Sequence, residues 1–399
     1  MKLEDIDIYN PDNYVDAVPY DQLAFLRENA PVFKHKHPDG KDYWALTRHA
    51  DCVDVSRNHK TFSSEKGFVL LDDLTPELLT QVQEQLLGMD PPKHGPIRRS
   101  IITRFTSTML EAVKPRIRII CNEIFDTVAN GAEVEFVHDI ASKLPMQVVG
   151  ELMAVPKDKW EQLASWAEKA TGTSDPDISS PEETQDATMQ MGIYGFELAC
   201  ERKGKDGDDL ISLLINEAVE GHELSEMEFA SLFVQIAVAG HETTRSLISS
   251  GLHQLIQHPV AMAELRQAPE LLPRAVEEML RYAVPLHYFR RTAVIDTEVG
   301  GQKIQAGDRV VLVYSAANRD PAVFSKPDEF NIHREGNQHL SFGHGIHLCL
   351  GANLARLETV IFFEEFFKTF SSIELTGQPA RIRSNLVNGF KRMPVRLRR

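Results

Sequence analysis

The stretch that decides the fold is FGHGIHLCLG, residues 342–351. Its glycines suit a tightly turned loop that passes close to a bulky neighbour. Residues 352–363 then have the pattern of a helix, which places Cys349 near a helix N-terminus. There the helix dipole and free N–H groups favour a thiolate over a thiol. A thiolate held by backbone donors is what a soft, electron-donating metal ligand requires.

Two other interpretations of Cys349 remain open on this loop alone. A lone cysteine is usually a small buried residue without chemistry. A zinc site would pair Cys349 with His347, but a closed structural zinc site needs four ligands, and the sequence has no second Cys/His cluster nearby.

One long helix is well marked upstream of this loop. Ser225 with Glu228 fits a capping box, and Leu224 with Phe229 fits a hydrophobic staple. The pattern continues to Gln257, which predicts a helix of roughly 50 Å at 1.5 Å per residue. Residues 229–240 are apolar on nearly every side, as expected of a helix that crosses a core. We therefore expect one large domain over residues 1–399.

The remaining patterns predict a mainly α fold with small β-sheets (α+β). Residues 32–36 and 43–47 flank a turn at 37–40 and predict a hairpin. Residues 292–299, 303–304 and 310–313 predict a second small sheet. Residues 171–183 are rich in Ser, Asp and Pro, which fits a loop between helices as well as a domain boundary.

Composition narrows the class of protein. With 43 Lys and Arg against 58 Asp and Glu, the formal charge is −15, which disfavours general nucleic-acid binding. No window is apolar over the roughly 18 residues of a membrane span, and residues 1–10 lack the apolar core of a secretory signal. The four cysteines are far apart, and we expect a cytoplasmic protein.

The loop resembles the haem-binding signature F-x-x-G-x-x-x-C-x-G of the cytochrome P-450 family, which Phe342, Gly345, Cys349 and Gly351 match at every position. Three further segments resemble family motifs in the family's order. These are the E-x-x-R pair Glu278 and Arg281, the downstream Phe330, Ile332 and Arg334, and the oxygen-activation motif at residues 239–244.

The resemblance covers essentially the whole chain and implies the cytochrome P-450 fold, with the long helix over a buried haem b. It implies that Cys349 ligates the iron, that Glu242 and Thr243 deliver protons during dioxygen activation, and that Glu278 and Arg281 are structural. Thr243 with Gly240 is expected to permit a local opening of the helix. His241, at the variable position, either joins the proton relay or faces away.

The resemblance also implies a cationic site for the two haem propionates. The residues that match the family's positions are His94, Arg98, Arg291, His339 and His347, although the adjacent Arg290 leaves the register at 290–291 open.

The substrate pocket is expected to be mostly apolar, which favours a hydrophobic ligand such as a terpenoid, a steroid or an aliphatic chain. His287 and Tyr288 are polar exceptions that could orient a hydroxyl or carbonyl group. The expected lining residues are Phe68, Val69, Val234, Val238, Ala239, Leu286, His287, Tyr288, Leu386 and Val387.

A local basic run favours an acidic partner. The resemblance implies a [2Fe-2S]-type or similar ferredoxin, supplied with electrons from NAD(P)H by a separate reductase. The run consists of Lys93, Arg98, Arg99, Arg104, Lys114, Arg116 and Arg118, against the single acid Glu111.

The leading hypothesis is a monooxygenase that inserts one oxygen atom from O2 into a C–H bond. A peroxide-driven peroxygenase would also hold a haem. Members of that branch of the family lack the acid–Thr pair, which is present here as Glu242 and Thr243. A non-catalytic haem-binding sensor has no need of proton delivery.

Overall fold

The computed structural model describes residues 1–102, 106–207, 209–216 and 223–399, with no description of the Ser107 side chain. Helices carry most of the chain. In order, they are α1 (Tyr20–Asn29), α2 (His49–Arg57), α3 (Pro76–Gln83), α4 (His94–Ile102), α5 (Ser107–Asp126), α6 (Lys143–Leu152), α7 (Trp160–Thr171), α8 (Pro181–Arg202), α9 (Leu210–Asn216), α10 (Glu226–Gln257), α11 (Pro259–Gln267), α12 (Leu272–Tyr282), α13 (Tyr314–Ala317) and α14 (Ala352–Thr369).

The strands are short and fall between the helices. They are β1 (Val32–His35), β2 (Tyr43–Leu46), β3 (Phe62–Ser63), β4 (Glu133–Glu135), β5 (Tyr288–Ala293), β6 (Thr297–Val299), β7 (Gln302–Ile304), β8 (Arg309–Val313), β9 (Ser372–Leu375), β10 (Ala380–Arg381), β11 (Phe390–Arg392) and β12 (Pro394–Arg398).

The predicted long helix is α10. Ser225 caps it, its hydroxyl accepting a hydrogen bond from the Glu228 N–H at 3.2 Å while the Glu228 carboxylate accepts one from the Ser225 N–H at 2.9 Å. The helix ends at Gln257, because the residue before Pro259 is disfavoured in helical conformation. α10 packs against α6, α7, α8 and α12, so it runs through the helical core.

The prediction of two separate sheets was wrong. β1 and β2 form the expected antiparallel hairpin, but β2 also pairs in parallel with β8, which gives one five-stranded sheet in the order β1-β2-β8-β5-β3. Of the strands predicted for the second sheet, β6 and β7 form a separate two-stranded hairpin. The parallel pairing joins segments more than 260 residues apart, and no local pattern encodes it.

Glu278, Arg281 and Arg334 form one buried network, in keeping with the structural role that the family resemblance implied for Glu278 and Arg281. Both carboxylate oxygens of Glu278 accept hydrogen bonds from Arg281 at 2.8 Å, and Oε2 also accepts one from Arg334 at 3.0 Å. The side chains of Glu278 and Arg281 have no exposed surface. The two guanidinium groups also donate to main-chain carbonyls, including Asn318 and Ser325, so the network ties α12 to residues 318–334.

Residues 172–180 form a connection between α7 and α8, as one of the two interpretations of this stretch expected. Among the described residues, each helix is too short or too polar to traverse a bilayer.

Candidate haem site

The Cys349 loop is held in a fixed shape by its own backbone. The Cys349 N–H donates to the Phe342 carbonyl at 2.8 Å, and Gly343 and Gly345 adopt positive φ angles of 71° and 74°. At Gly345 an added Cβ would lie 2.3 Å from the Ser56 carbonyl oxygen, so the loop packs directly on the end of α2. Cys349 then stands two residues before Gly351, which caps the N-terminus of α14.

The pKa of the Cys349 thiol is raised, whereas its place near a helix N-terminus predicted that it would be lowered. The residue has exposed surface, but its sulfur lies deep among protein atoms. Burial raises the pKa of the Cys349 thiol, and this outweighs the lowering by the Gly351 N–H and by the guanidinium groups of Arg98 and Arg356. The helix N-terminus alone therefore does not make Cys349 a thiolate, whereas a metal ion coordinated by the sulfur would.

Four of the five residues expected at the propionates come together. The rings of His94, at the start of α4, and His347, in the Cys349 loop, have centroids 4.5 Å apart. Arg291 from β5 and Arg98 from α4 are close enough that their charges, added to the effect of burial, lower the pKa of His347.

Part of the hydrogen-bonding capacity of these four residues is unused among the described residues. The His94 Nε2 and His347 Nδ1 atoms are buried without a hydrogen-bond partner. The Arg291 guanidinium reaches only the carbonyl of its neighbour Arg290, at 2.8 Å. Buried polar atoms without partners are uncommon in folded proteins, so the group is suited to an anionic ligand.

The structure settles the register at Arg290 and Arg291, because successive residues of a strand point to opposite faces. Arg290 faces the segment before α3, where it donates to the Asp73 carboxylate at 2.8 Å. His339 does not join the other four residues expected at the propionates. Its Nε2 lies 3.2 Å from the carboxylate of Glu277, which is also held by Arg356 at 2.6 Å. Its position near the loop in sequence gave no indication of the direction of its ring.

Thr243 makes the hydrogen bond that was expected, from its hydroxyl to the Ala239 carbonyl at 2.8 Å. The expected local opening is absent, since α10 is regular α-helix through Gly240. An added Cβ at Gly240 would lie 2.6 Å from Val149, so close packing on α6 explains this glycine. Ala239 is exposed although it lies in the middle of α10, and Thr243 is half-buried one turn later.

Glu242 faces a different direction from Thr243. It is buried, and both its oxygens accept from one guanidinium nitrogen of Arg245, at 2.7 and 2.6 Å. A second guanidinium nitrogen of Arg245 donates to Glu168 of α7 at 2.5 Å. Burial raises the pKa of the Glu242 carboxyl, and the positive charge of Arg245 opposes this.

His241 faces away from Thr243, as one of its two interpretations expected. Its Nε2 lies 2.8 Å from the Ser142 hydroxyl, and burial lowers its pKa to about 3. It is therefore a neutral imidazole packed between α10 and the residue that precedes α6.

Three of the four predicted pocket segments meet. Leu286 and Val387 form an isolated antiparallel bridge, the His287 N–H donates to the Leu386 carbonyl at 2.8 Å, and the Arg290 N–H donates to the Phe68 carbonyl at 2.8 Å. The half-buried members of the predicted lining are Val69, Val238, Leu286 and Leu386, and Phe68 and Val387 are buried.

Three predicted lining residues face elsewhere. The His287 ring is buried, with Nδ1 2.6 Å from the Ser315 hydroxyl and its centroid 4.8 Å from that of Tyr14. Tyr288 belongs to the buried cluster that joins the N-terminal residues to the sheet. Val234 is buried beside Gly192 of α8. His287 and Tyr288 are therefore packed in the core rather than on the half-buried surface of the predicted pocket.

Sequence reasoning missed several residues near the site. His59 is half-buried and lies near His94 and His347, and Ser64 bonds the His347 ring at 3.2 Å. Their stretch of sequence carries no motif. Gln235 and Arg245 lie on α10. A polar residue in a helix predicted to cross the core could have identified both of them from the sequence.

Most of the basic run is neutralised within the chain. Lys93 pairs with Glu84 at 2.5 Å, Lys114 with Glu111 at 2.5 Å, and Arg116 with Glu151 at 2.6 Å. Arg118 pairs with Glu364 and Glu365. Arg104 lies outside the described residues. The run is thus not the free positive face that its composition suggested.

Comparison with known proteins identifies the family. The family model named Cytochrome P450 matches residues 183–395, which is more than half of the chain. The curated linalool 8-monooxygenase of Pseudomonas putida is 36% identical over 98% of this chain and 99% of its own length. The chain belongs to the cytochrome P450 family.

Other relatives agree with this assignment. The steroid C26-monooxygenase of Rhodococcus jostii is 34% identical over 98% of this cytochrome P450 and 84% of its own length. The solved structure of Mycobacterium marinum cytochrome P450 CYP268A2 in complex with pseudoionone superposes with a TM-score of 0.88 at 33% identity, covering 94% of each chain.

The protein is therefore a cytochrome P450 monooxygenase that uses haem b, O2 and electrons derived from NAD(P)H through redox partners. Its residues fit a bound haem, because the buried His94 Nε2 and His347 Nδ1 have no hydrogen-bond partner among the described residues and lie near Arg98 and Arg291, beside the loop that carries Cys349. The cations match the charge of two propionates, and the sulfur matches the axial ligand of this family.

Proposed function

We propose that this cytochrome P450 hydroxylates a small hydrophobic molecule, that Cys349 would hold the haem iron, and that His94, Arg98, Arg291 and His347 would hold the propionates. The observation that carries the assignment is that the buried His94 Nε2 and His347 Nδ1, near Arg291, have no hydrogen-bond partner among the described residues. His339 is left out because its ring is committed to Glu277.

When bound, the haem supplies the redox chemistry that reduces dioxygen with two electrons and two protons, leaving one oxygen atom in the substrate and one in water. We propose that the chain supplies the protons. The Thr243 hydroxyl, fixed on the Ala239 carbonyl, holds a hydrogen bond at the pocket side of α10. Glu242 can take up a proton and pass it on when its bonds to Arg245 loosen, because burial raises the pKa of its carboxyl.

We propose a terpenoid, a steroid or an aliphatic chain as substrate class. The half-buried Val69, Val238, Leu286 and Leu386 offer apolar surface. Relatives that align with nearly the whole of this chain are named for linalool, for steroid C26 and for methyl-branched lipid oxidation, which supports a substrate of this kind.

We propose a ferredoxin with a separate reductase, inside the cytoplasm, as the electron source. Leu348 is 45% exposed directly before Cys349, and the Arg98 guanidinium donates to its carbonyl at 2.6 Å. An exposed apolar residue next to a cation suits an acidic docking partner. Reduction by a ferredoxin should slow as salt rises, and reduction that is rapid and independent of salt would contradict this partner.

The axial ligand is tested by the absorption spectrum of the reduced protein under carbon monoxide. We expect the long-wavelength Soret band of thiolate ligation in the wild type and in Cys200→Ala, which removes another exposed cysteine. The Cys349→Ala variant should lose the band. A Cys349→Ala variant that keeps it would show that Cys349 is not the ligand.

The proton role is tested by Thr243→Ala with Thr243→Ser as the conservative control. We expect Thr243→Ala to consume NAD(P)H but to release hydrogen peroxide at the expense of hydroxylated product, and Thr243→Ser to restore product. An unchanged ratio of product to NAD(P)H would contradict the role and would favour peroxide-driven chemistry.

A further inference from the structure

Gln235 is an amide within the apolar stretch LFVQIAVA at residues 232–239 of α10. Residues 235, 239 and 243 are spaced by four and therefore lie along one side of the helix. Ala239 is exposed in the middle of this long helix, and Thr243 is the proposed proton-handling residue. Gln235 therefore belongs to the side of α10 that borders the pocket.

The orientation of the Gln235 amide is fixed by one hydrogen bond. The Leu86 N–H donates to Gln235 Oε1 at 2.9 Å. Because only the oxygen of an amide accepts a hydrogen bond, this contact also decides which end carries the Nε2 donor. Leu86 is buried and begins the short helical turn Leu86–Gly88 between α3 and α4.

The Nε2 donor of Gln235 is buried and has no hydrogen-bond partner among the described residues. A buried donor without an acceptor is unfavourable, and folded proteins contain few of them. The Leu86 N–H satisfies the Gln235 Oε1 acceptor, but no contact among the described residues satisfies the Nε2 donor.

We propose that Gln235 Nε2 donates a hydrogen bond to a neutral oxygen of the substrate, and this proposal rests on the proposed function of the same pocket. A neutral amide matches a hydroxyl or carbonyl oxygen, whereas a carboxylate would be expected to face a cation. The cation of α10, Arg245, is paired with Glu242 and Glu168. The substrate is thus an apolar alcohol or ketone rather than a plain hydrocarbon or an acid.

The position of Gln235 also constrains where this oxygen lies in the substrate. Eight residues separate Gln235 from Thr243, which corresponds to about 12 Å along the helix axis. The anchored oxygen and the oxidised carbon therefore occupy well-separated parts of the molecule.

The test measures spin-state titrations of the holoenzyme with matched ligand pairs: a monoterpene alcohol, a sterol and a fatty alcohol, each beside the hydrocarbon that lacks its oxygen. Gln235→Met removes donor and acceptor. Gln235→Glu keeps the acceptor for the Leu86 N–H but removes the amide donor. Gln254→Met makes the same substitution on the same helix, eleven residues or about 16 Å along the axis beyond Thr243.

For one pair, the wild type and Gln254→Met should bind the oxygenated member about tenfold more tightly than the hydrocarbon. Both Gln235 variants should reduce this ratio to about one while leaving hydrocarbon affinity nearly unchanged. Equal weakening of both members would overturn the proposal and make Gln235 an anchor for Leu86 alone. A wild type without preference for any oxygenated member would also overturn it.

Failure of the proposed function would look different. A protein without the thiolate Soret band in the carbon monoxide experiment would refute the haem assignment, regardless of Gln235. A thiolate haem with equal affinity for both members of every pair would refute only the inference about Gln235.

Discussion

At the scale of single residues, Glu278 is the acceptor on which the network behind the haem loop depends. One buried carboxylate receives hydrogen bonds from Arg281, Arg334, the Asn337 amide and the Asn331 N–H. Removing one partner of a buried ion pair leaves an uncompensated charge, which costs more than the intact pair contributes.

We therefore expect Glu278→Gln to lower the free energy of unfolding by about 3–5 kcal/mol and to reduce haem retention. The measurement is denaturant unfolding together with the ratio of Soret to protein absorbance after purification. Glu270→Gln, the same change at an exposed position, should behave as wild type. A Glu278→Gln variant with full haem content and unchanged stability would contradict a structural role.

Glu358 is a buried carboxyl of α14 that the mechanism does not use. It is 2% exposed, its Oε2 has no hydrogen-bond partner among the described residues, and burial raises its pKa well above the ordinary value. Below the ordinary pKa the carboxyl is protonated in both the folded and the unfolded chain. Above it, only the unfolded chain loses the proton, so stability falls as pH rises toward the folded pKa.

Glu358→Gln should remove this pH dependence. The variant should match the wild type near pH 4 and become progressively more stable than it as pH rises, by about 1.4 kcal/mol for each unit by which the pKa is raised. Denaturant unfolding at several pH values measures the difference. A constant difference across pH would mean that Glu358 is not a buried neutral acid.

The residues also show what a motif can predict. The motif that Glu278, Arg281 and Arg334 resemble predicted a structural role, and their side chains form a buried hydrogen-bonded network. For His287 and His339, the sequence located the segment but not the face toward which the ring points. That direction depends on Ser315 and Glu277, which are distant in sequence.

At the scale of elements, the segment that leads from β3 to α4 is fastened to the sheet by Asp73. Its carboxylate accepts from Lys41 at 2.7 Å, from Arg290 at 2.8 Å and from Arg309 at 3.2 Å. Partial burial raises the pKa of Asp73, but the hydrogen bonds from Arg309, Lys41 and Arg290 hold it well below its usual range. The contribution to stability is therefore present at neutral pH and is lost only as pH falls below the ordinary carboxyl pKa.

Asp73→Asn should loosen this segment without unfolding the sheet. We expect faster hydrogen exchange over residues 64–90 and a loss of about 1 kcal/mol of global stability. Asp54→Asn, at an exposed position on α2, serves as the control. Unchanged exchange in this segment would show that Asp73 does not fasten it.

The elements themselves differ in how far the sequence determines them. The boundaries of α10 follow from its capping box and from Pro259, which are local signals. The joining of β2 to β8 does not, because strand pairing depends on the arrangement of the whole chain. The helices could therefore be predicted, whereas the sheet could not.

At the scale of the whole molecule, we propose that residues 1–399 unfold as one domain. α10 contacts α6, α7, α8, α11, α12 and α14, and the C-terminal β12 pairs with β4 and β9. Trp44 lies in the sheet, whereas Trp160 and Trp166 lie in α7. The Trp44→Phe variant keeps the tryptophans of α7 and therefore reports on the helices. The double variant Trp160→Phe/Trp166→Phe keeps Trp44 and therefore reports on the sheet.

Fluorescence of the two variants should give the same denaturation midpoint once each is corrected for its own stability by circular dichroism. Coincident transitions identify one cooperative unit. A sheet signal that changes at a lower denaturant concentration than the helix signal would instead divide the chain into two units.

The parallel pairing of β2 with β8 has a consequence for biosynthesis. At about 5–20 residues per second, a ribosome needs roughly 13–50 s to add the stretch between the two strands. During that time the edge formed by Tyr43–Leu46 has no partner and offers free N–H and C=O groups to other chains. His94 is likewise synthesised more than 250 residues before His347, whose ring it contacts. The group proposed for the propionates is therefore complete only after the Cys349 loop has been made.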